Sequence, residues 1–235
     1  MALTKIQAVI LAAGKSSRFK TGKTKLIEKI CGQEMIMYPV ALCHELKIPV
    51  TLVIGFQKEL LKKTLKKEFP ASSLISFVEQ KEQLGTGHAL ETSREFWKQE
   101  NILIMNGDTF CDIDFNKFWQ FHVRKKSAAS LIFSKVPNPS RFGTVKLDQN
   151  NKIVKFEEKK PGDRHGFVSA GVYLINKTLI SKIPEGQKIS LEKEMFPKWI
   201  GKEFYGFKVE NEFIDIGTPE SYKSAQEFFA KFKLK

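Results

Sequence analysis

The chemistry this sequence can support rests on two widely separated aspartates, one basic small-residue segment and one glycine-rich polar segment. Asp108 ends Ile102-Leu103-Ile104-Met105-Asn106-Gly107-Asp108-Thr109, an apolar run that reads as a buried strand closing in Asn-Gly-Asp. In open α/β sheets ligands gather at the carboxyl ends of the strands, so a carboxylate there can hold Mg²⁺ over a phosphate. It also suits a plain strand-ending turn. Asp215, within Phe213-Ile214-Asp215-Ile216-Gly217-Thr218-Pro219-Glu220-Ser221-Tyr222, is flanked by apolar residues and calls for either a hydrogen-bonded cap or a cation.

The basic segment is Leu11-Ala12-Ala13-Gly14-Lys15-Ser16-Ser17-Arg18-Phe19, followed by Lys23, Lys25 and Leu26. Small residues directly after a strand let a ligand approach the backbone, and consecutive N–H groups on such a loop can cradle phosphate oxygens. Arg18 would add forked contacts to phosphate and Lys25 a mobile point charge. An ordinary strand-to-helix turn with solvated basic residues fits the same letters. The polar segment is Gln80-Lys81-Glu82-Gln83-Leu84-Gly85-Thr86-Gly87-His88-Ala89. Gly85 and Gly87 permit close backbone approach to a planar base, and the Gln80 amide can donate and accept at once, as a pyrimidine edge requires. A helix cap after Gly87 explains the glycines equally well.

Several chemistries are disfavoured. There is no G-x-x-x-x-G-K-[ST] and no G-x-G-x-x-G, which argues against a P-loop enzyme or a dinucleotide enzyme. Ser16-Ser17 sits in no G-x-S-x-G elbow. His44, His88, His122 and His165 fall in no zinc-ligand spacing, and Cys31, Cys43 and Cys111 are read as reduced thiols. The formal charge of +13, from 39 Lys+Arg and 26 Asp+Glu, invites a nucleic-acid-binding reading. The lysines are dispersed, however, and clusters such as Lys62, Lys63, Lys66, Lys67 and Lys231, Lys233, Lys235 have the spacing of wet helix faces. A small anionic substrate suits the same charge. The longest apolar runs are too short to span a bilayer, and Met1 to Ala13 lacks the layout of a secretory signal, so a cytoplasmic protein without membrane or nucleic-acid partners is expected.

These residues need a scaffold, and the pattern supplies one. With 42% apolar residues a substantial core is available. Strands are expected at Gln7 to Leu11, Val50 to Ile54, Leu74 to Val78 and Ile102 to Met105, with helices at Glu34 to Leu46, Lys58 to Glu68 and Gly87 to Trp97. This alternation predicts a doubly wound α/β arrangement. The closer-spaced runs Ala129 to Val136, Gly143 to Leu147, Ile153 to Phe156 and Val168 to Ile175 predict added antiparallel strands. Asp112 and Asp114 are expected to open a helix. A short helix at Leu191 to Ile200 and a last one from Pro219 to about Phe232, capped by Thr218, complete the reading. No Gly/Ser-rich linker divides the chain, and one domain over 1–235 is expected.

Taken in order, these segments resemble the sugar-1-phosphate nucleotidyltransferases from about Ile6 to Phe229. Leu11 to Phe19 resembles the family's L-A-[AG]-G-x-[GS]-[ST]-R-[FML], and Lys25 its following lysine, with Thr24 where a proline is usual. Gln80 to Ala89 is most similar to the uridylyltransferase part of bifunctional N-acetylglucosamine-1-phosphate uridylyltransferases. Phe213 to Tyr222 is most similar to heptose-1-phosphate guanylyltransferases. Arg141-Phe142-Gly143-Thr144-Val145, Phe156-Glu157-Glu158-Lys159 and Ser169-Ala170-Gly171-Val172-Tyr173 resemble the sugar-facing segments, with Ser169 where asparagine is usual.

The resemblance implies a Rossmann-like fold with a mixed, mostly parallel sheet flanked by helices. It implies the reaction sugar 1-phosphate + NTP → NDP-sugar + pyrophosphate, with Mg²⁺ held by Asp108 and Asp215. Arg18, Lys25 and Asp108 would be catalytic. Leu11, Ala12, Ala13, Gly14, Gln80, Gly85 and Thr86 would bind the nucleotide, and Gly143, Glu157, Lys159 and Ser169 the sugar. Gln80 and His88 favour UTP. A GTP-dependent heptose-1-phosphate guanylyltransferase, a choline-phosphate cytidylyltransferase, a catalytically silent relative and a basic nucleic-acid-binding module are the alternatives.

Overall fold

The computed structural model describes residues 5–15, 22, 24–70, 72–136, 144–157, 166–210 and 213–230. In chain order the elements are β1 (Ile6–Ala12), a 3-10 turn (Lys25–Ile27), β2 (Lys29–Ile30), β3 (Gln33–Glu34), α1 (Met37–Glu45), β4 (Val50–Ile54), α2 (Lys58–Glu68), β5 (Ile75–Glu79) and α3 (Thr86–Thr92). After a 3-10 turn (Arg94–Phe96) come β6 (Asn101–Asn106), β7 (Thr109–Cys111), α4 (Phe115–Arg124), β8 (Ala129–Val136), β9 (Thr144–Leu147), β10 (Ile153–Glu157) and β11 (Gly166–Asn176). The chain continues with α5 (Lys177–Ile180), a π-turn (Leu191–Met195), α6 (Phe196–Trp199), β12 (Phe204–Val209), β13 (Phe213–Asp215) and α7 (Pro219–Phe229).

Along the main sheet the order is β10-β9-β11-β6-β1-β4-β5, and β8 pairs with both β11 and β12. The strands β6, β1, β4 and β5 are mutually parallel, while β11 runs antiparallel to β6 and β8. Crossover-connected parallel strands are covered on both faces, which is why β1 and β4 are apolar apart from the buried Gln7 and Thr51. Their side chains divide strictly by parity. Ala8, Ile10 and Ala12 pack with α1, α2 and α4 on one face, while Val9 packs with α3, α5 and α6 on the other.

The parallel strands and β8 sit where the sequence predicts them, to within a residue. Differences arise where local geometry overrides periodicity. Glu34 does not start a helix: Cys31 and Gly32 both take positive φ, turning the chain into the β2–β3 hairpin, and α1 begins at Met37. The helix expected from Gly87 to Trp97 stops at Thr92 and continues as a 3-10 turn. The segment from Leu191 begins as a π-turn and becomes α6, ending at Trp199. The short strands β7 and β13 and the strand β12 have no clear period in the sequence. Asp114 caps α4 by accepting from Lys117 N at 3.1 Å, and the Thr218 hydroxyl accepts from Ser221 N at 3.2 Å at the start of α7, as expected.

Helix α7 is anchored on the hairpin. Tyr222 Oη and Gln226 Nε2 both donate to Lys29 O, and Cys31 N donates to Gln226 Oε1. Phe229 buries against Tyr38 with ring centroids 4.0 Å apart. That docking holds β13, and with it Asp215, against the body of the protein. Cys31, Cys43 and Cys111 are free thiols.

Candidate active site

The segments that carry the two aspartates meet. Strand β13 lies antiparallel on β7 with Asp215 directly opposite Thr109, and Ile216 N donates to Asp108 O at 3.1 Å. Asp108 leaves β6 through Gly107, whose N–H donates to Leu11 O, so the carboxylate turn is tied to the end of β1. A Cβ on Gly107 would sit 3.1 Å from that carbonyl. One Asp215 oxygen accepts Gly217 N at 2.8 Å, which fixes the carboxylate's orientation on its own strand end. Both aspartates are partly exposed.

A cavity of about 340 Å³ opens along the carboxyl ends of β1, β5 and β6. Its walls contain all seven residues expected on the nucleotide side, Leu11, Ala12, Ala13, Gly14, Gln80, Gly85 and Thr86, together with Lys25 and Asp108. Asp215 is not among the lining residues. Lys25 forms an ion pair with Asp108, with 14% and 28% of the two side chains exposed. The cavity therefore holds a cation already seated on the carboxylate. Lys25 owes its place to Gln57, which takes left-handed φ of 54° before α2 and bridges to Thr24 N at 2.8 Å and Gly22 O at 3.0 Å. A Cβ on Gly14 would meet none of the described residues within 4 Å, so among them the backbone there is open to a ligand. Arg18 lies outside the described residues.

The Gln80 segment is rigid because of a partner the sequence does not advertise. Ile189 O accepts from Gly87 N and His88 N, and Ile189 N donates to Leu84 O, locking the start of α3 to the 189–192 segment. Gly85 has φ of 98°, and a Cβ on it would stand 2.4 Å from Ile189 O. Gln80 is 5% exposed; its Nε2 lies 3.4 Å from Gly85 O and 2.8 Å from His88 Nδ1. A backbone carbonyl can only accept, so the amide nitrogen must face it. Both amide hydrogens are thereby engaged, and Oε1 is the atom left to meet a ligand. His88 holds this amide instead of facing a base with that nitrogen.

Of the sugar-side residues, Ser169 sits on β11 beside an irregularity in the β8–β11 ladder, two residues before Gly171 with φ of 69°. A Cβ on Gly171 would reach 2.7 Å from Thr109 Oγ1 and 2.9 Å from Asn106 Nδ2, so β11 passes directly behind the carboxylate turn. Glu157 ends β10 opposite Thr144. Gly143, Lys159 and the Glu157 side chain lie outside the described residues. Among the described residues no group of three or more His, Cys, Asp or Glu could hold a metal. Two aspartates nevertheless suit a hard cation that takes its remaining ligands from phosphate and water. Sequence reasoning missed Gln57 and Glu192 and gave Asn106 and Tyr173 no role of their own within the segments it singled out, because their importance is set by contacts between distant segments. No described helix is long and apolar enough to cross a membrane.

Comparison with known proteins agrees with this geometry. The family model described as nucleotidyl transferase matches residues 7–231. A D-glycero-α-D-manno-heptose 1-phosphate guanylyltransferase of Aneurinibacillus thermoaerophilus is 29% identical over 94% of this chain and 97% of its own length. A mannose-1-phosphate guanyltransferase of Debaryomyces hansenii is 29% identical over 93% of this chain, which spans 63% of that protein. The bifunctional protein GlmU of Clostridioides difficile is 30% identical over 72% of this chain and 38% of its own length. Among solved structures, HddC from Yersinia pseudotuberculosis complexed with GMP-PN superposes with a TM-score of 0.83 at 26% identity, covering 95% of this chain and 99% of that one. With a Rossmann-like fold, a mixed and mostly parallel sheet and a family match over nearly its whole length, the chain belongs to the sugar-1-phosphate nucleotidyltransferases of the nucleotidyl transferase family.

Proposed function

We propose that this chain transfers a guanylyl group from GTP to a sugar 1-phosphate, releasing pyrophosphate. The observation that carries the reading is the cavity in which Lys25, Asp108 and the seven nucleotide-side residues converge, with Asp215 laid in register with Thr109, the residue after Asp108. A sugar phosphate oxygen attacks the α-phosphorus in line; the P–O bond to the β-phosphate breaks, and pyrophosphate departs from the opposite side. A phosphate monoester is largely dianionic at neutral pH, its second pKa being about 6, so no protein base is needed. Alignment and charge neutralisation then carry catalysis. Lys25 and Arg18 neutralise the triphosphate, and the backbone from Ala12 to Gly14 lies against it. Asp108 and Asp215 would hold Mg²⁺, which when bound adds positive charge beside the phosphates.

Gln80 and His88 favour UTP in the sequence, and the GlmU likeness keeps UTP as the second reading. Two observations support GTP. The relative matched over 97% of its length is named a guanylyltransferase. The Gln80 amide, with both hydrogens engaged, offers an acceptor. Guanine presents two adjacent donors, N1–H and N2–H₂, whereas uracil presents one N–H between two carbonyls. A panel of GTP, UTP, CTP and ATP against several hexose and heptose 1-phosphates, read by pyrophosphate release, tests both. GTP is expected to give the fastest release, and a clear preference for UTP overturns the base assignment. Asp108→Asn should lose at least about 10²-fold in turnover while keeping its melting temperature. Wild-type turnover by that variant removes the proposed mechanism.

A further inference from the structure

A chain of hydrogen bonds that starts at Thr86 in the cavity lining and runs behind it joins the two ends of the site, and its direction is dictated by one carboxylate. Glu192, in the π-turn after Ser190, accepts from Thr86 Oγ1 at 2.6 Å, from Ser190 Oγ at 2.9 Å and from Tyr173 Oη at 3.2 Å. An ionised carboxylate only accepts, so all three hydroxyls point their protons at Glu192. Burial and the neighbouring Glu192 charge push the Tyr173 phenol well above its usual range, which keeps that proton in place. Because the Tyr173 proton is used on Glu192, the phenol oxygen is an acceptor toward Ser169, whose Oγ donates to it at 3.3 Å. Gly171 N donates to Ser169 Oγ at 3.4 Å. The Ser169 hydroxyl is left with a lone pair and no proton to offer.

We propose that Glu192 is a positioning residue that links the nucleotide and sugar ends of the site, holding Thr86 at one and, through Tyr173, fixing Ser169 as an acceptor for a sugar hydroxyl at the other. The proposal rests on the assignment of Ser169 to the sugar and Thr86 to the nucleotide made above. It explains why a short serine serves on β11: its polarity is set from behind by a fixed charge instead of by its own side chain. Thr86 is doubly tied, since its Oγ1 also accepts Leu191 N at 2.9 Å, so α3 and the π-turn move as one unit. Replacing the carboxylate by an amide turns one acceptor into a donor, which must then oppose either the Tyr173 or the Thr86 proton.

Steady-state kinetics with both substrates varied separate the two arms. Tyr173→Phe should raise KM for the sugar 1-phosphate about five- to tenfold, the size of one lost hydrogen bond, and leave KM for the NTP within about twofold. Thr86→Val should do the reverse, and Glu192→Gln should raise both. Combining Glu192→Gln with Tyr173→Phe should raise the sugar KM no further than Glu192→Gln alone, because both cut the same chain. A merely structural role predicts instead a shared loss of melting temperature and kcat with no split between substrates. Unchanged sugar KM in Tyr173→Phe, or equal effects of all variants on both substrates, overturns the proposal. The underlying functional reading fails separately, by absence of pyrophosphate release from the wild-type protein.

Discussion

Lys25 and Asp108 form an ion pair between two groups that the proposed reaction assigns to different partners, the lysine to phosphate and the aspartate to a cation. A divalent ion arriving at Asp108 meets an ammonium already there, and like charges so close repel strongly. The lysine therefore acts as a resident cation until a nucleotide draws it away, which would make metal and triphosphate enter together. In Lys25→Met the carboxylate loses its competitor. Mn²⁺ titrated into the nucleotide-free variant and followed by electron paramagnetic resonance should bind about five- to tenfold tighter than to the wild type, as expected for a partly exposed pair of about 1 kcal/mol. Turnover should fall by about 10²-fold, because a charge on the phosphates is lost. Weaker or unchanged Mn²⁺ binding would show that Lys25 does not compete for the site.

At the scale of elements, glycines separate what the fold requires from what a ligand requires. Gly85 sits at φ of 98° with Ile189 O 2.4 Å from any added Cβ, so Gly85→Ala should displace the start of α3 and lower stability by about 1–3 kcal/mol. Among the described residues, nothing stands where a Cβ on Gly14 would go. Gly14→Ala should thus melt like the wild type and yet raise KM for the NTP about tenfold or more, since the methyl occupies room needed for close phosphate approach. Paired melting curves and kinetics check the contrast; a Gly14→Ala variant with normal NTP affinity would remove the phosphate from that loop. The same elements show what the sequence could reveal. Val50–Ile54 and Lys58–Glu68 were legible to the residue because buried parallel strands and amphipathic helices write their period directly. Strands β7 and β13, three residues each, were not legible as a pair, because the backbone ladder of each is completed by the other across a long sequence separation. Hence Asp108 and Asp215 were identifiable as candidates while their juxtaposition was not. Gln57 and Glu192 stayed silent because a polar side chain that braces a loop looks in sequence like any surface residue.

The whole molecule places the cavity and a buried polar cluster at opposite ends of its strands. The cavity lies at the carboxyl ends of β1 and β6, whereas at the amino end of β6 and β8 a buried imidazole clamps two strands. His122 is 3% exposed, with Nδ1 2.9 Å from Ser130 Oγ and Nε2 3.2 Å from Asn101 Oδ1. The Asn101 carbonyl oxygen requires the proton on Nε2, so Nδ1 accepts from Ser130, and the neutral ring satisfies both neighbours. Burial lowers its pKa from 6.5 to about 4. Below pH 6.5 the unfolded chain takes up a proton that the folded protein refuses until about pH 4. The stability this group contributes is thus complete above pH 6.5 and is lost progressively as the pH falls toward 4. Linkage places the loss at about 2 kcal/mol by pH 5 and about 3 kcal/mol at the end of the window. Urea unfolding at pH 7 and pH 5 should show this drop in the wild type and a drop smaller by about 2 kcal/mol in His122→Gln, which has no proton to gain at that position. An equal pH dependence in both proteins would move the acid sensitivity away from this end of the strands.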